Sequence, residues 1–412
     1  MKHFMFGTGI ECSMPKVKDG LRRDILQETG HYEHYRREFE LCRRIGVRYL
    51  RYGVPYYQIH TGPDTYDWSL TDKILPTLKE KGLVPILDLC HYGLPDWLGD
   101  FQNPAWPEHF AQFARCFAER YSWIQYYTPI NEMFVLAKFN GRDGLWNERL
   151  KSDEALVKGM LNTIRGTHLA IAAILEVNPT AVFIPCEAAE IFHEQWPSTR
   201  DRIHLENALI YATYDLLFGH TLEPEALTLF QQYGFEQDEY DFFLQRGAII
   251  KPHSIMGLNY FAPSERVLLP DGGTAVSPAA IGWNELARRL YDRHQMPFML
   301  SETNNLGRGS EAGPEWLWKM WNQIAFLRDE GLPAVGLIWY SLRDQYDWDS
   351  LLQEKRHTNI PVGLYTLDFK KNPVEADFRR ILERYAETPI LPTITDKRIP
   401  SYAKWKALSK GQ

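Results

Sequence analysis

Two short apolar runs in this chain stop abruptly at a glutamate. Tyr126-Tyr127-Thr128-Pro129-Ile130 leads into Asn131-Glu132, and Phe298-Met299-Leu300-Ser301 leads into Glu302-Thr303-Asn304. A carboxylate at the end of a buried strand is costly unless a partner or a reaction uses it. Two of them, far apart in the sequence, predict one pocket that holds two carboxyl groups. Such a pair suits the cleavage of a glycosidic bond. One carboxylate attacks the anomeric carbon and the other protonates the leaving oxygen, the two lying about 5–5.5 Å apart when configuration is retained. The nucleophile has to stay ionised, which a nearby Arg and a Tyr hydroxyl favour. The acid has to stay protonated, which burial or a like charge favours.

The elements that must position this pair are short and regular. Eight β-type runs are separated by helical patterns: Phe4–Ile10, Val47–Val54, Val84–Cys90, Gln125–Glu132, Ala181–Ala188, Ser254–Tyr260, Phe298–Thr303 and Ala334–Ser341. Helical patterns cover Tyr32–Ile45, Thr71–Lys81, Pro107–Tyr121, Asp153–Val177, about Ile203–Gln245, Gly282–His294, Pro314–Glu330 and Val374–Glu387. Gly46, Gly82 and Gly331 stand just past the last turns of three of them, where a left-handed residue ends a helix. The runs are apolar on both faces, as strands covered by helices must be. This alternation predicts an α/β fold, a single (β/α)8 TIM barrel over residues 1–412, with 388–412 a tail packed on the barrel exterior. A doubly wound open sheet would want a phosphate-binding fingerprint after the first strand, and Gly7-Thr8-Gly9-Ile10-Glu11-Cys12 lacks its third Gly. Phe261–Ala280 reads as a long loop on the catalytic face.

In a barrel the site is built at the C-terminal ends of the strands. In strand order those ends carry Glu11; Arg51; Asp88 with His91-Tyr92; Asn131-Glu132; Glu187 and Glu190; Asn259-Tyr260; Glu302-Thr303-Asn304; and Tyr340 with Asp344, Asp347 and Trp348. Chance places two or three polar groups so, hardly one on every strand. Glu187 and Glu190 read equally well as loop salt bridges or as pocket residues.

Composition narrows the classes. Apolar residues at 44% support a large core, and a net charge of −7 disfavours nucleic acid, whose phosphates call for Lys and Arg. Aromatics at 14% are ample both for core packing and for stacking on sugar faces, and composition leaves the two readings open. Cys12, Cys42, Cys90, Cys116 and Cys186 are scattered and odd in number, as reduced core thiols of a cytoplasmic protein would be. No run approaches a membrane span, and no tight His/Asp spacing marks a metal site. No cofactor, metal, membrane or nucleic-acid partner is expected; the partner is a carbohydrate or glycoside, and the oligomeric state stays open.

From Phe4 to about Phe369 the chain resembles glycoside hydrolase family 1, retaining (β/α)8 β-glycosidases. Arg51-Tyr52-Gly53-Val54 stands where that family has Arg-Phe-Ser-Ile, which implies that Arg51 contacts the nucleophile. His91-Tyr92-Gly93-Leu94-Pro95-Asp96-Trp97-Leu98 resembles His-Trp-Asp-Leu-Pro-Gln-Trp-Leu, making His91 a sugar ligand. Thr128-Pro129-Ile130-Asn131-Glu132 resembles Thr-Phe-Asn-Glu-Pro, giving Glu132 as acid/base with Asn131 beside it. Gly257-Leu258-Asn259-Tyr260 matches Gly-x-Asn-Tyr, which implies Tyr260 against the nucleophile and Asn259 at the substrate. Ser301-Glu302-Thr303-Asn304 stands for Thr-Glu-Asn-Gly, with Glu302 the nucleophile. The segment from Tyr340 to Trp348 tracks Trp-Ser-Leu-Leu-Asp-Asn-Phe-Glu-Trp, placing Tyr340, Asp347 and Trp348 at the sugar.

The departures lie in the sugar-holding shell. Met14 stands where the first loop of the family supplies a Gln, with Glu11 and Lys16 the nearest polar groups; Glu11 is the expected replacement contact. Tyr340 replaces a Trp, Asp347 a Glu, and Met133 the Pro after the acid/base. An intact carboxylate pair in an altered shell leaves room for a modified sugar, an amino sugar or a glycosylated natural product. The same pair would serve a transglycosidase, and a sugar-binding barrel that lost catalysis is the alternative from another class.

Overall fold

A computed structural model describes residues 3–385 and 387–392. Eight parallel strands follow the chain: β1 Met5–Gly9, β2 Tyr49–Gly53, β3 Val84–Asp88, β4 Tyr126–Thr128, β5 in two pieces (Val182–Phe183 and Cys186–Ala188), β6 Met256–Asn259, β7 Phe298–Thr303 and β8 Ala334–Trp339. Hydrogen bonding runs from the first piece of β5 through β4, β3, β2, β1, β8, β7 and β6 to its second piece. Both ends of the order belong to one strand, so the sheet closes into a (β/α)8 barrel. Every neighbouring pair is parallel. Closure satisfies the backbone without an open edge.

Ten longer helices surround the strands: α1 His31–Ile45, α2 Ser69–Glu80, α3 Trp106–Arg120, α4 Asp153–Val177, α5 Arg200–Phe218, α6 Pro224–Gln232, α7 Gln237–Ile250, α8 Trp283–His294, α9 Gly313–Asp329 and α10 Val374–Tyr385. The helical stretch expected from Ile203 to Gln245 is thus three helices. Gly46, Gly82 and Gly331 take φ of 87°, 71° and 88° at helix ends, the left-handed turn that favours glycine. Helix α4 starts as its sequence dictates. Ser152 accepts the Ala155 amide at 3.1 Å, and Asp153 and Glu154 fill the first turn.

The barrel interior is filled by one side chain or two from each strand, among them Met5, Tyr49, Ile86, Tyr126, Met299 and Ile338. A larger apolar layer lies between strands and helices. Polar groups are thereby confined to the C-terminal rim, where strands give way to loops.

The stretch 261–280 is not a plain loop. Glu265–Leu268 pairs antiparallel with Thr274–Val276 and parallel with Ile191–His193, forming a small sheet beside the rim. Of the expected tail, Thr388 accepts the Phe4 amide at 2.7 Å, and the Pro389 and Ile390 carbonyls take Arg328 at 2.6 and 2.9 Å. Residues 393–412 lie outside the described residues. Among the described residues no helix is long and apolar enough to cross a membrane.

Candidate active site

The rim opens into a cleft. Glu132, Glu302, His91 and Glu11 line its depths, and Tyr340 and Trp348 line one side. The lining also holds the apolar Val135, Phe139, Phe261, Pro263, Leu306 and Leu351, together with the charged Lys138, Glu190 and Arg266.

Arg51, at the end of β2 and 2% exposed, organises one half. Its Nη1 pairs with Glu302 Oε1, and its Nη2 donates to Asp88 Oδ2 at 2.9 Å and to Asn131 Oδ1 at 2.7 Å. One guanidinium therefore ties β2, β3, β7 and the end of β4 together. A planar fork with several fixed donors suits this task better than an ammonium would.

Glu132 is held differently. It sits at φ 46°, ψ 66°, in the left-handed region, directly before the short helix Met133–Ala137. A non-glycine residue there is strained and needs its surroundings to hold it. Tyr92 donates its hydroxyl to Oε2, and Asn259 donates Nδ2 to Oε1 at 2.9 Å. Ser301 Oγ in turn donates to Asn259 Oδ1 at 2.6 Å, which fixes the amide's orientation. Burial pushes the Glu132 carboxyl above its ordinary value, and the bonds from Tyr92 and Asn259 offset this only in part. Glu187 lies outside the cleft lining: its carboxyl accepts the amides of Met133 at 2.6 Å and of Phe134 at 3.3 and 3.4 Å. It so anchors the helix that follows Glu132. Burial first, and then the charge of Glu132, push Glu187 well up.

His91 Nδ1 lies 2.8 Å from Asp88 Oδ2 and 3.3 Å from Cys12 Sγ, while Nε2 faces Asn131 Nδ2 at 3.2 Å. An amide NH2 can only donate, so Nε2 is the acceptor and Nδ1 carries the proton. The ligand atoms of Cys12, Asp88 and His91 lie within 4.8 Å of one another. Arg51 already supplies the positive charge beside Asp88, so this group is better described as a hydrogen-bonded chain than as a cation site. Tyr340 lies parallel to His91, with ring centroids 6.3 Å apart, and beside Gly9, where a Cβ would strike its ring.

Three expectations need correction. The Tyr260 hydroxyl does not reach Glu302; it donates to Glu265 at 2.7 Å, and its ring stacks on Trp316. Glu265 also accepts the amides of Ile281 and Gly282, each at 2.7 Å, and lies 2.7 Å from His193 Nε2. That buried acid gathers donors from the small outer sheet and draws the tyrosine away. Asp347 does not face the cleft either. It is fully buried, with Arg23 at 2.8 Å and the amides of Arg356, His357 and Thr358 at 3.1, 3.0 and 2.7 Å. Burial alone would raise its carboxyl; the amides and Arg23 bring it below the ordinary value. Asn259 is turned to Glu132 and is absent from the cleft lining, so it serves the carboxyl rather than the sugar.

Glu11, His91, Tyr340 and Trp348 do line the cleft. Glu190, read from the sequence either as a loop salt bridge or as a pocket residue, lines the cleft and lies 3.7 Å from Arg266; residues that sequence reasoning left without a role are Tyr92, Asp88, Ser301 and Gln345. Tyr92 had a signal, its place directly after His91 at a strand end. The others depend on side-chain direction, which strand position alone does not supply.

Comparison with known proteins adds to this geometry. The model of "Glycosyl hydrolase family 1" matches residues 13–176. The chain is 20% identical over 378 residues to "Beta-glucosidase A" of Thermotoga maritima, with 81% of each chain covered. It is 19% identical over 355 residues to "6-phospho-beta-glucosidase AscB" of Escherichia coli, covering 75% of this chain and 74% of the relative. A shorter match, 26% over 143 residues, is to "Probable inactive beta-glucosidase 14" of Oryza sativa. Among solved structures, the family 1 β-glucosidase from Thermotoga maritima superposes with a TM-score of 0.77 at 15% identity, over 93% of this chain and 98% of that one. The same enzyme in complex with glucoimidazole gives a TM-score of 0.77.

Proposed function

We propose that this chain is a β-glycosidase like those of glycosyl hydrolase family 1, whose model matches residues 13–176, and that it works by double displacement, with Glu302 as nucleophile and Glu132 as acid and then base. The observation that carries the reading is the contrast between two carboxyls in one cleft. Glu302 lies against a guanidinium that favours its ionised form; Glu132 is buried, raised and bonded by neutral donors.

In the first step a Glu302 oxygen attacks the anomeric carbon, the bond to the leaving oxygen breaks, and Glu132 gives that oxygen its proton. In the second, Glu132 takes a proton from water, whose oxygen forms the new bond to the anomeric carbon and releases Glu302. Each displacement inverts the centre, so configuration is retained. Arg51 lowers the cost of the charge that returns to Glu302. His91 lines the cleft beside the reacting pair, positioned by Asn131, which Arg51 holds in turn, with Tyr340 and Trp348 offering ring faces further along.

A 2-deoxy-2-fluoro glycoside with a good leaving group tests this reading. It should leave a covalent mass increase on a peptide containing Glu302. Hydrolysis without any trapped species, or with the label on another residue, would overturn the assignment. Tight binding with neither trapping nor turnover would make the chain a sugar-binding barrel.

A further inference from the structure

Among the described residues, each carboxylate lining the cleft except one has a partner. Glu302 and Asp88 share Arg51, Glu132 has Tyr92 and Asn259, Glu187 has two amides, and Glu190 has Arg266 at 3.7 Å. Glu11 is the exception. It is 5% exposed, lines the cleft, and accepts one bond, from its own neighbour Ser13 N at 2.9 Å to Oε1. Among the described residues no Lys, Arg or His nitrogen lies within 4.0 Å of it. The cation nearest in sequence, Lys16, is engaged with Asp96 at 2.9 Å, and Arg343, which lines a second small pocket with Glu11, with Glu38 at 2.9 Å. Burial first, then Cys12 and the charge of Glu11, push the neighbouring Tyr340 hydroxyl well up, as a negative group facing the ring's end would.

A buried carboxylate with one neutral donor is expensive, and Glu11 lines the space a sugar would occupy. Arg51 is already shared between two carboxylates, and among the described residues the negative charge of Glu11 has no cation within 4.0 Å. Neutral hydroxyls would hydrogen-bond to Glu11 but leave that charge uncompensated. An ammonium would do both, through a charge-assisted bond.

We infer that the sugar bound in this cleft carries an ammonium group that pairs with the Glu11 carboxylate: the glycone is an amino sugar with a free amine. This deepens the double-displacement reading and rests on it, since it takes the sugar to lie between Glu132 and Glu302. Glu11 is then a specificity residue, in place of the neutral amide that a hydroxyl-only sugar would need. Acetylating the amine removes the charge and the preference with it.

The test compares 4-nitrophenyl β-glucoside with its analogues bearing an amine at C2, C3, C4 or C6, each also as the N-acetyl form. One free amine should exceed the parent glucoside by roughly tenfold or more in kcat/KM, the scale of a hydrogen bond to a charged group. Its N-acetyl form should lose that advantage, and Glu11→Gln, which keeps an acceptor for Ser13 N, should abolish it. Calorimetric binding of the matching methyl glycosides is read independently of turnover. Glu11-dependent preference for an amine without any hydrolysis would sustain this inference and sink the double-displacement one. No amine better than the parent, or a preference that survives Glu11→Gln or N-acetylation, overturns it. Should Glu11→Gln fail to fold, the N-acetyl comparison on the unaltered chain decides.

Discussion

Glu302 and Glu132 share a residue type, a place at the C-terminal rim and nearly equal burial, at 4% and 7% exposed. Their surroundings differ. The half of the cleft built from β2, β3 and β7 is charged, with Arg51 bridging Glu302, Asp88 and Asn131. The half built from β4 and β6 is neutral, with a phenol and an amide on Glu132 and a second buried acid behind it. The proposed roles rest on that difference. A guanidinium favours the form that attacks, and desolvation favours the form that donates a proton.

The comparison can be broken at either carboxyl. Glu302→Ala should lower kcat on an aryl glycoside by on the order of 10⁴–10⁶, as removal of a nucleophile does elsewhere; a loss within tenfold would remove Glu302 from the reaction. Glu132→Gln should cost about 10²–10⁴. Its signature is in the pH profile. The raised Glu132 carboxyl keeps its proton above the ordinary range, so activity falls as pH rises through its own value, and that basic limb should vanish in the variant.

Arg51→Met tests the charged half. It leaves Asp88 and Glu302 buried without a cation, so thermal or denaturant unfolding should show a loss of about 3–5 kcal/mol, with kcat falling alongside. Tyr92→Phe tests the neutral half. Its hydroxyl favours the charged form of Glu132, so removing it should move the basic limb to higher pH with only a modest change in rate. The smallest effect belongs to Tyr260→Phe. The hydroxyl serves Glu265, so the loss should appear as about 0.5–1.5 kcal/mol of stability rather than as activity. A rate defect as large as that of Tyr92→Phe would return Tyr260 to the site.

Much of this was legible from pattern. Eight apolar runs, helix-ending glycines and polar residues at each strand end follow from local rules, because a parallel strand buried on both faces has few alternatives. Tyr260 and Asp347 show where such reading fails. Each stands at the rim in register with a motif, yet each turns toward a partner supplied from elsewhere: Glu265 from the outer sheet, and Arg23 from the loop after β1. Arg23 is distant in the chain from Asp347, and although Glu265 stands five residues after Tyr260, no local pattern says that the two side chains meet. Tyr92 failed the other way, since its bond to Glu132 joins β3 to β4.

The sequence by itself determined the barrel, the two glutamates and the arginine between them, since periodicity and strand-end position are local properties of the chain. Only the tertiary structure decided which side chains reach the cleft and with whom they pair. That choice is made by buried charges drawing donors across loops distant in sequence. It withdrew Asp347 and Tyr260, turned Asn259 to Glu132, and left Glu11 lining the cleft without a cation of its own.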